Sequence, residues 1–199
     1  MIKINQQYND FEFSLRKIWS SSNFEKMLIE IAQMLFRTRS DIKDWKKPND
    51  NDGYGVYAFW YKGGGKIDFE TFNTKWSGLE KCSSSRPYKK WFETVAMKEL
   101  HRELGLHIQG NSHRCFYLGK REMIFTRISD HIDGSSQTTY GLHLNRDGID
   151  FRDQLSVGYW RVPIDVDVKC NTSRMVNQHL ISYIESELRY YLSPMVGKQ

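Results

Sequence analysis

No stretch of this sequence approaches the roughly 18 consecutive apolar residues that a membrane-spanning helix needs, so such a helix is excluded. The opening stretch MIKINQQYNDFEFSLRKIW lacks the apolar segment of a secretory signal. Cysteine is scarce: Cys82, Cys115 and Cys170 are far apart and form no CxxC pair, which argues against a disulfide framework and against a cysteine-built zinc site. They read as reduced thiols, and a cytoplasmic protein without membrane contact is the expectation. No unit of roughly 20–50 residues repeats, so a solenoid is excluded. Neither charge sign dominates. Lys and Arg number 29 against 24 Asp and Glu, and the net +5 permits a polyanionic partner without demanding one.

What the sequence does hold is aromatic and apolar mass. Aromatics are 14% and apolar residues 39% of 199 residues. That argues against intrinsic disorder, and the chain is long enough for a core without disulfide or metal staples.

Residues 10–39 carry helical spacing. Phe11, Leu15, Ile18 and Trp19 fall at i, i+4, i+7 and i+8. After the Ser20-Ser21-Ser22-Asn23 break, Met27, Leu28, Ile31, Met34, Leu35 and Phe36 share one face. The polar turn 46–53 (KKPNDNDG) is the best boundary, dividing an N-terminal helical arm over 1–48 from a domain over 53–199. In that domain Tyr54 to Tyr61 reads as a strand bounded by glycines. Residues 87–104 predict an amphipathic helix with Trp91, Val95 and Leu104 on its apolar side. Residues 113–118 predict a second strand, with Gly119 turning the chain into a helix over 120–132. Short strands are expected over 139–144 and 157–162, and a last helix over 174–192 is stopped by Pro194. The order is mixed α/β, of the α+β class.

Arg127 and His131 are spaced i, i+4 and share a helix face, and Lys120 falls two turns earlier on nearly the same stripe. Tyr117 stands at the end of the strand before them, and Gly55-Val56-Tyr57 lies on the preceding strand. With these residues the chain resembles the GIY-YIG nuclease family. Gly55-Val56-Tyr57 matches its first strand motif and Tyr117-Leu118-Gly119 its second. Arg127 and His131 match the following helix, and Glu185 with Pro194 matches the C-terminal part; the family's Glu-to-Pro spacing selects Glu185 over Glu187. The resemblance implies a small three-stranded antiparallel sheet flanked by helices. There are two departures. Tyr57 and Tyr117 are 60 positions apart, which implies a long insertion at about 63–112 between paired strands, tolerated because loop-closure cost grows slowly with length. Gly197 stands where the family usually has Asn.

The resemblance implies a metal-dependent DNA endonuclease that hydrolyses phosphodiester bonds with Mg²⁺ or Mn²⁺. That reaction needs an activated water and stabilised charge on the phosphoryl oxygens. By resemblance Tyr57 is the base for the water, and Tyr117 orients water or phosphate. A free phenol titrates near 10, so Tyr57 needs a metal or cations beside it to lose its proton. Arg127 suits the non-bridging oxygens, being planar, always charged and bidentate. His131 positions Tyr57 or shares its proton, and Lys120 holds a neighbouring phosphate. Glu185 is the metal ligand; one carboxylate is enough for Mg²⁺ that keeps water and phosphate as its other ligands. In the insertion, Arg86, Lys89 and Lys90 suit nucleic-acid phosphates, with Tyr88 and Trp91 as stacking partners. The insertion and the N-terminal helices are the candidates for target selection. A type II restriction enzyme is one form this would take, working as a homodimer to cut both strands.

Two other readings stand beside this one. Residues 98–106 (KELHRELGL) are similar to the end of the Nudix box of nucleoside-diphosphate hydrolases, with Arg102 in place of one of its paired glutamates. A nucleic-acid-binding protein without catalysis would use the same basic and aromatic residues.

Overall fold

The computed structural model describes residues 22–49, 52–62, 69–78, 86–87, 113–134, 141–145, 152–162 and 171–197. Its centre is an antiparallel sheet in the order β1-β5-β2-β4. Strand β1 is Ser40–Asp41, β2 Gly55–Lys62, β4 His113–Arg121 and β5 Leu155–Arg161. Strands β3 (Arg86–Pro87) and β6 (Val196–Gly197) form a separate antiparallel pair. The helices are α1 (Ser22–Arg37), α2 (Phe69–Ser77), α3 (Ile124–Asp133) and α4 (Asn171–Leu192). The fold is α+β, and its main sheet has four strands where three were expected, the two-residue β1 being the addition. Among the described residues no helix is long and apolar enough to cross a membrane.

Strand β2 is central and covered on both faces, which is why its sequence is an almost unbroken apolar run. Alternation sends Tyr57, Phe59 and Tyr61 to one face, with Phe72 and Trp76 of α2 and Ile124, Phe125 and Ile128 of α3. Val56, Ala58 and Trp60 go to the other, with Leu28, Ile31 and Leu35 of α1 and Ile184, Leu188 and Leu192 of α4. Strand β2 pairs directly with β4 although residues 63–112 lie between them. The register shifts at Phe59/Trp60, where Tyr117 pairs with Phe59 and Cys115 with Trp60, leaving Phe116 as the extra residue. The bulge lets Phe116 and Tyr117 both meet the first face, while Cys115 and Leu118 meet the second. Cys115 is a buried free thiol whose ionisation is pushed up by desolvation.

Helix α1, drawn from the sequence as part of an arm, lies on the sheet itself. Gly158 makes room for it, since a Cβ there would fall 1.9 Å from the Leu35 carbonyl oxygen. Trp60 Nε1 donates to that same oxygen at 2.9 Å.

Three expectations change between residues 119 and 144. Strand β4 continues to Arg121, so Gly119 lies within a strand and α3 starts only at Ile124. Lys120 is therefore a strand residue opposite Val56, off the stripe of Arg127 and His131. The described part of the strand expected over 139–144 is no strand. Its amides instead serve the end of α3: Leu144 N–H donates to the His131 carbonyl and Asn145 N–H to that of Ile132, both at 2.9 Å. Helix carbonyls without internal partners take precedence there over a ladder. Most of the helix expected over 87–104, the Nudix-like stretch 98–106, Cys82 and Cys170 lie outside the described residues.

The N-terminus of α3 is capped from afar. Met123, at the cap position, offers no side-chain bond. Asp52 supplies it: Oδ1 accepts from the Phe125 amide at 2.8 Å, and Oδ2 accepts from the Thr126 amide at 2.9 Å and its hydroxyl at 2.8 Å. Oδ1 also accepts from Gly53 N–H, just before β2, so one carboxylate fixes α3 against the start of the central strand. Asp52→Ala should lower stability by about 2 kcal/mol and Asp52→Asn by less, read as urea midpoints. Equal midpoints for wild type and Asp52→Ala would show that the cap contributes nothing.

Candidate active site

Tyr57 faces Gly119 across the β2–β4 ladder. A Cβ at position 119 would lie 2.5 Å from the Tyr57 hydroxyl oxygen and 2.9 Å from Cε1 of Tyr117. Glycine is therefore required for close packing: it leaves the space in which Tyr57 lies beside Tyr117, their ring centroids 6.3 Å apart. This replaces the turn role expected for Gly119.

His131 is buried against both tyrosines, 5.5 Å from the Tyr57 ring and 5.0 Å from the Tyr117 ring. Its Nδ1 accepts the Leu142 backbone N–H at 3.0 Å. A nitrogen that accepts an amide proton carries none itself, so the neutral ring bears its proton on Nε2. Nε2 lies 2.8 Å from the Tyr57 hydroxyl oxygen and donates to it. In this tautomer Nε2 has no lone pair to take the Tyr57 proton. Of the two roles expected for His131, this tautomer suits holding the Tyr57 oxygen and does not suit accepting its proton. Burial first, then Arg127 and His143, hold its ionisation well below the ordinary histidine range, so the ring stays neutral.

Burial also pushes the Tyr57 phenol well above its usual range, and the neighbouring Tyr117 adds to the rise. Arg127 opposes it by its positive charge. Tyr117 is raised by burial too, with Arg127 again opposing. Arg127 lies on α3 one turn before His131, its Nη1 3.9 Å from Oδ2 of Asp130.

Glu185 approaches from α4 and acts electrostatically on both tyrosines. Its Oε1 accepts from Nη2 of Arg189 at 2.6 Å. Its Oε2 is 3.8 Å from Lys120 Nζ and, among the described residues, accepts no hydrogen bond. Lys120 also donates to Ser182 of α4. Arg189 Nη2 further donates to the Leu118 carbonyl of edge strand β4, at 3.4 Å.

Tyr57, Tyr117, Arg127, His131 and Glu185 thus come together, with Lys120 beside Glu185. Arg86 pairs by its backbone with Gly197, the position at which the resembled family usually has Asn. Lys89 and Lys90 lie outside the described residues. Sequence reasoning missed three contributors: Arg189, Asp52 and the Leu142 amide. Arg189 left a signal, standing i+4 from Glu185 as helical ion pairs do. The other two act across the fold and leave none.

Among the described residues no group of three or more His, Cys, Asp or Glu is placed to hold a metal ion. A cation here would rest on Glu185 alone. Oε2, accepting no hydrogen bond, fits that as one ligand for a Mg²⁺-type ion that keeps water and substrate oxygens. No family model, no curated protein and no solved structure matches this chain.

The neutral, buried His131 has a consequence for stability. Its folded-state value is lowered, so below about pH 6.5 the unfolded chain takes up a proton that the folded chain refuses. This contribution is present above about pH 6.5 and is lost as pH falls, by at most about 1.4 kcal/mol per pH unit. Urea unfolding from about pH 8 to 5 should show a shallower acid-side decline in His131→Gln than in wild type; parallel curves would contradict the neutral assignment.

Proposed function

We propose that this protein is a metal-dependent DNA endonuclease that hydrolyses phosphodiester bonds. The observation that carries the reading is the Tyr57 oxygen, held by His131 Nε2–H inside a group that also contains Arg127, Tyr117 and Glu185. Arg127, Lys120 and Arg189 supply three positive charges against two carboxylates, Glu185 and the Asp130 beside Arg127, and the remaining positive charge favours an anionic substrate.

Arg127 binds the non-bridging phosphoryl oxygens and stabilises the charge that grows there. Lys120, on β4, reaches an adjacent phosphate. As its phenolate, Tyr57 takes the proton of the attacking water while the water oxygen bonds to phosphorus and the P–O bond to the leaving ester oxygen breaks, that oxygen taking a proton from solvent; Tyr117 orients the attacking water. His131 keeps the Tyr57 oxygen in place by donating to it, and Nε2–H stabilises the phenolate once it forms. Glu185 would hold Mg²⁺ or Mn²⁺, which would supply Lewis acidity to the phosphate when bound. Because burial raises Tyr57, its ionised fraction is small at neutral pH. The site is short of base there and gains it as pH rises.

Cleavage by a restriction-type homodimer, with target selection by the insertion and the N-terminal residues, is the fuller form of this reading. A cytoplasmic setting agrees with the buried free thiol of Cys115.

The test is cleavage of unmethylated supercoiled plasmid and phage DNA with Mg²⁺ or Mn²⁺. Wild type should nick or cut, while Tyr57→Phe, Arg127→Ala and Glu185→Gln should each lose about 10²-fold or more in rate. The wild-type rate should climb from about pH 7 to 9, as a raised phenol used as base requires. Cleavage that survives in all three variants would overturn the assignment. DNA binding without cleavage would leave the fold serving recognition alone.

A further inference from the structure

Arg189 has no step of its own in the proposed chemistry, yet it touches the acidic member of the site. It stands one helical turn after Glu185 on α4. One nitrogen, Nη2, donates to Glu185 Oε1 and to the Leu118 carbonyl. Leu118 lies between Tyr117 and Gly119 on the strand that packs against Tyr57. The guanidinium therefore ties the carboxylate to the backbone of the tyrosine strand through Oε1, while Oε2, 3.8 Å from Lys120 Nζ, accepts no hydrogen bond among the described residues. The Glu185 and Arg189 side chains are 16% and 30% exposed, so the pair is partly shielded from solvent screening.

Two effects of such a tether oppose each other. Fixing one oxygen aims the other, which favours productive geometry. A full positive charge beside the carboxylate repels any divalent cation that comes to it. At these distances the repulsion is the larger influence on cation affinity, and the aiming matters for what the bound cation can do.

We infer that Arg189 is a positioning residue for Glu185, one that weakens cation binding in order to fix the carboxylate that receives the cation. The inference rests on the proposed role of Glu185 as the metal ligand. It predicts a split that a merely structural arginine would not produce: loss of Arg189 tightens cation binding and slows cleavage.

The experiment measures Mn²⁺ binding to the intact protein by electron paramagnetic resonance, without DNA, beside cleavage at saturating Mn²⁺. Glu185→Gln should lose the bound Mn²⁺. Arg189→Gln should bind Mn²⁺ about tenfold more tightly than wild type while cleaving more slowly. Arg189→Lys keeps the charge but its shorter side chain and single ammonium cannot span Glu185 Oε1 and the Leu118 carbonyl as Nη2 does, so its Mn²⁺ affinity should stay within about twofold of wild type while its cleavage slows. If Glu185→Gln still binds Mn²⁺ as wild type does, the metal-ligand role of Glu185 fails, and the inference falls with it. If Glu185→Gln loses Mn²⁺ but Arg189→Gln binds it no more tightly, the positioning inference alone is overturned. Should Arg189→Gln not fold, Arg189→Lys decides: wild-type cleavage by that variant overturns the inference.

Discussion

The tyrosine side of the candidate site depends on one hydrogen-bond relay, from the Leu142 amide through the His131 ring to the Tyr57 oxygen. The amide fixes the tautomer and the tautomer fixes the direction of the bond to the tyrosine. Three separate parts of the chain must be in place for it. Strand β2 brings Tyr57, α3 brings His131, and the segment 141–145 brings the amide while it closes the end of α3. Gly119 adds a steric condition, because any side chain there would occupy the space of the Tyr57 ring. A buried relay of this kind is costly if half made, so each element is under pressure to be exact in position.

The acidic side of the site is built by a different device. Strand β4 is the edge of the main sheet, and an edge leaves backbone groups open to other partners. Here two of its carbonyls are taken up locally. Cys115 O accepts from the Met195 amide at 3.0 Å and Leu118 O accepts from Arg189. Covering the edge in this way also carries α4, and with it Glu185, to the strand that holds Tyr117. Protection of the sheet and placement of the carboxylate are one structural event.

Much of this was legible in the sequence where a side chain reports its own surroundings. Strand β2 announced itself through an aromatic and β-branched run between glycines, and α4 through its apolar spacing and Pro194. Tyr57, Tyr117, Arg127, His131 and Glu185 were singled out as a set, and the fold does bring them together. What failed to show was whatever depends on backbone groups or on distant partners. Gly119 looked like a turn because a glycine's reason is the ring that packs on it, 62 positions earlier in the chain. The sequence alone puts Lys120 on the helix because nothing local marks that β4 runs two residues past the glycine. Asp52 sat in a polar turn that read as a boundary, and its role as the cap of α3 exists only once the chain has folded.

The tautomer of His131 is the most direct test, since it decides between a ring that holds the Tyr57 oxygen and one that takes its proton. Long-range proton–nitrogen correlation spectra of the imidazoles, with His131 identified by its absence in His131→Gln, read it directly. The expected result is a neutral ring protonated on Nε2 that does not titrate between about pH 6 and 8. A ring protonated on Nδ1, or an imidazolium in that range, would contradict it.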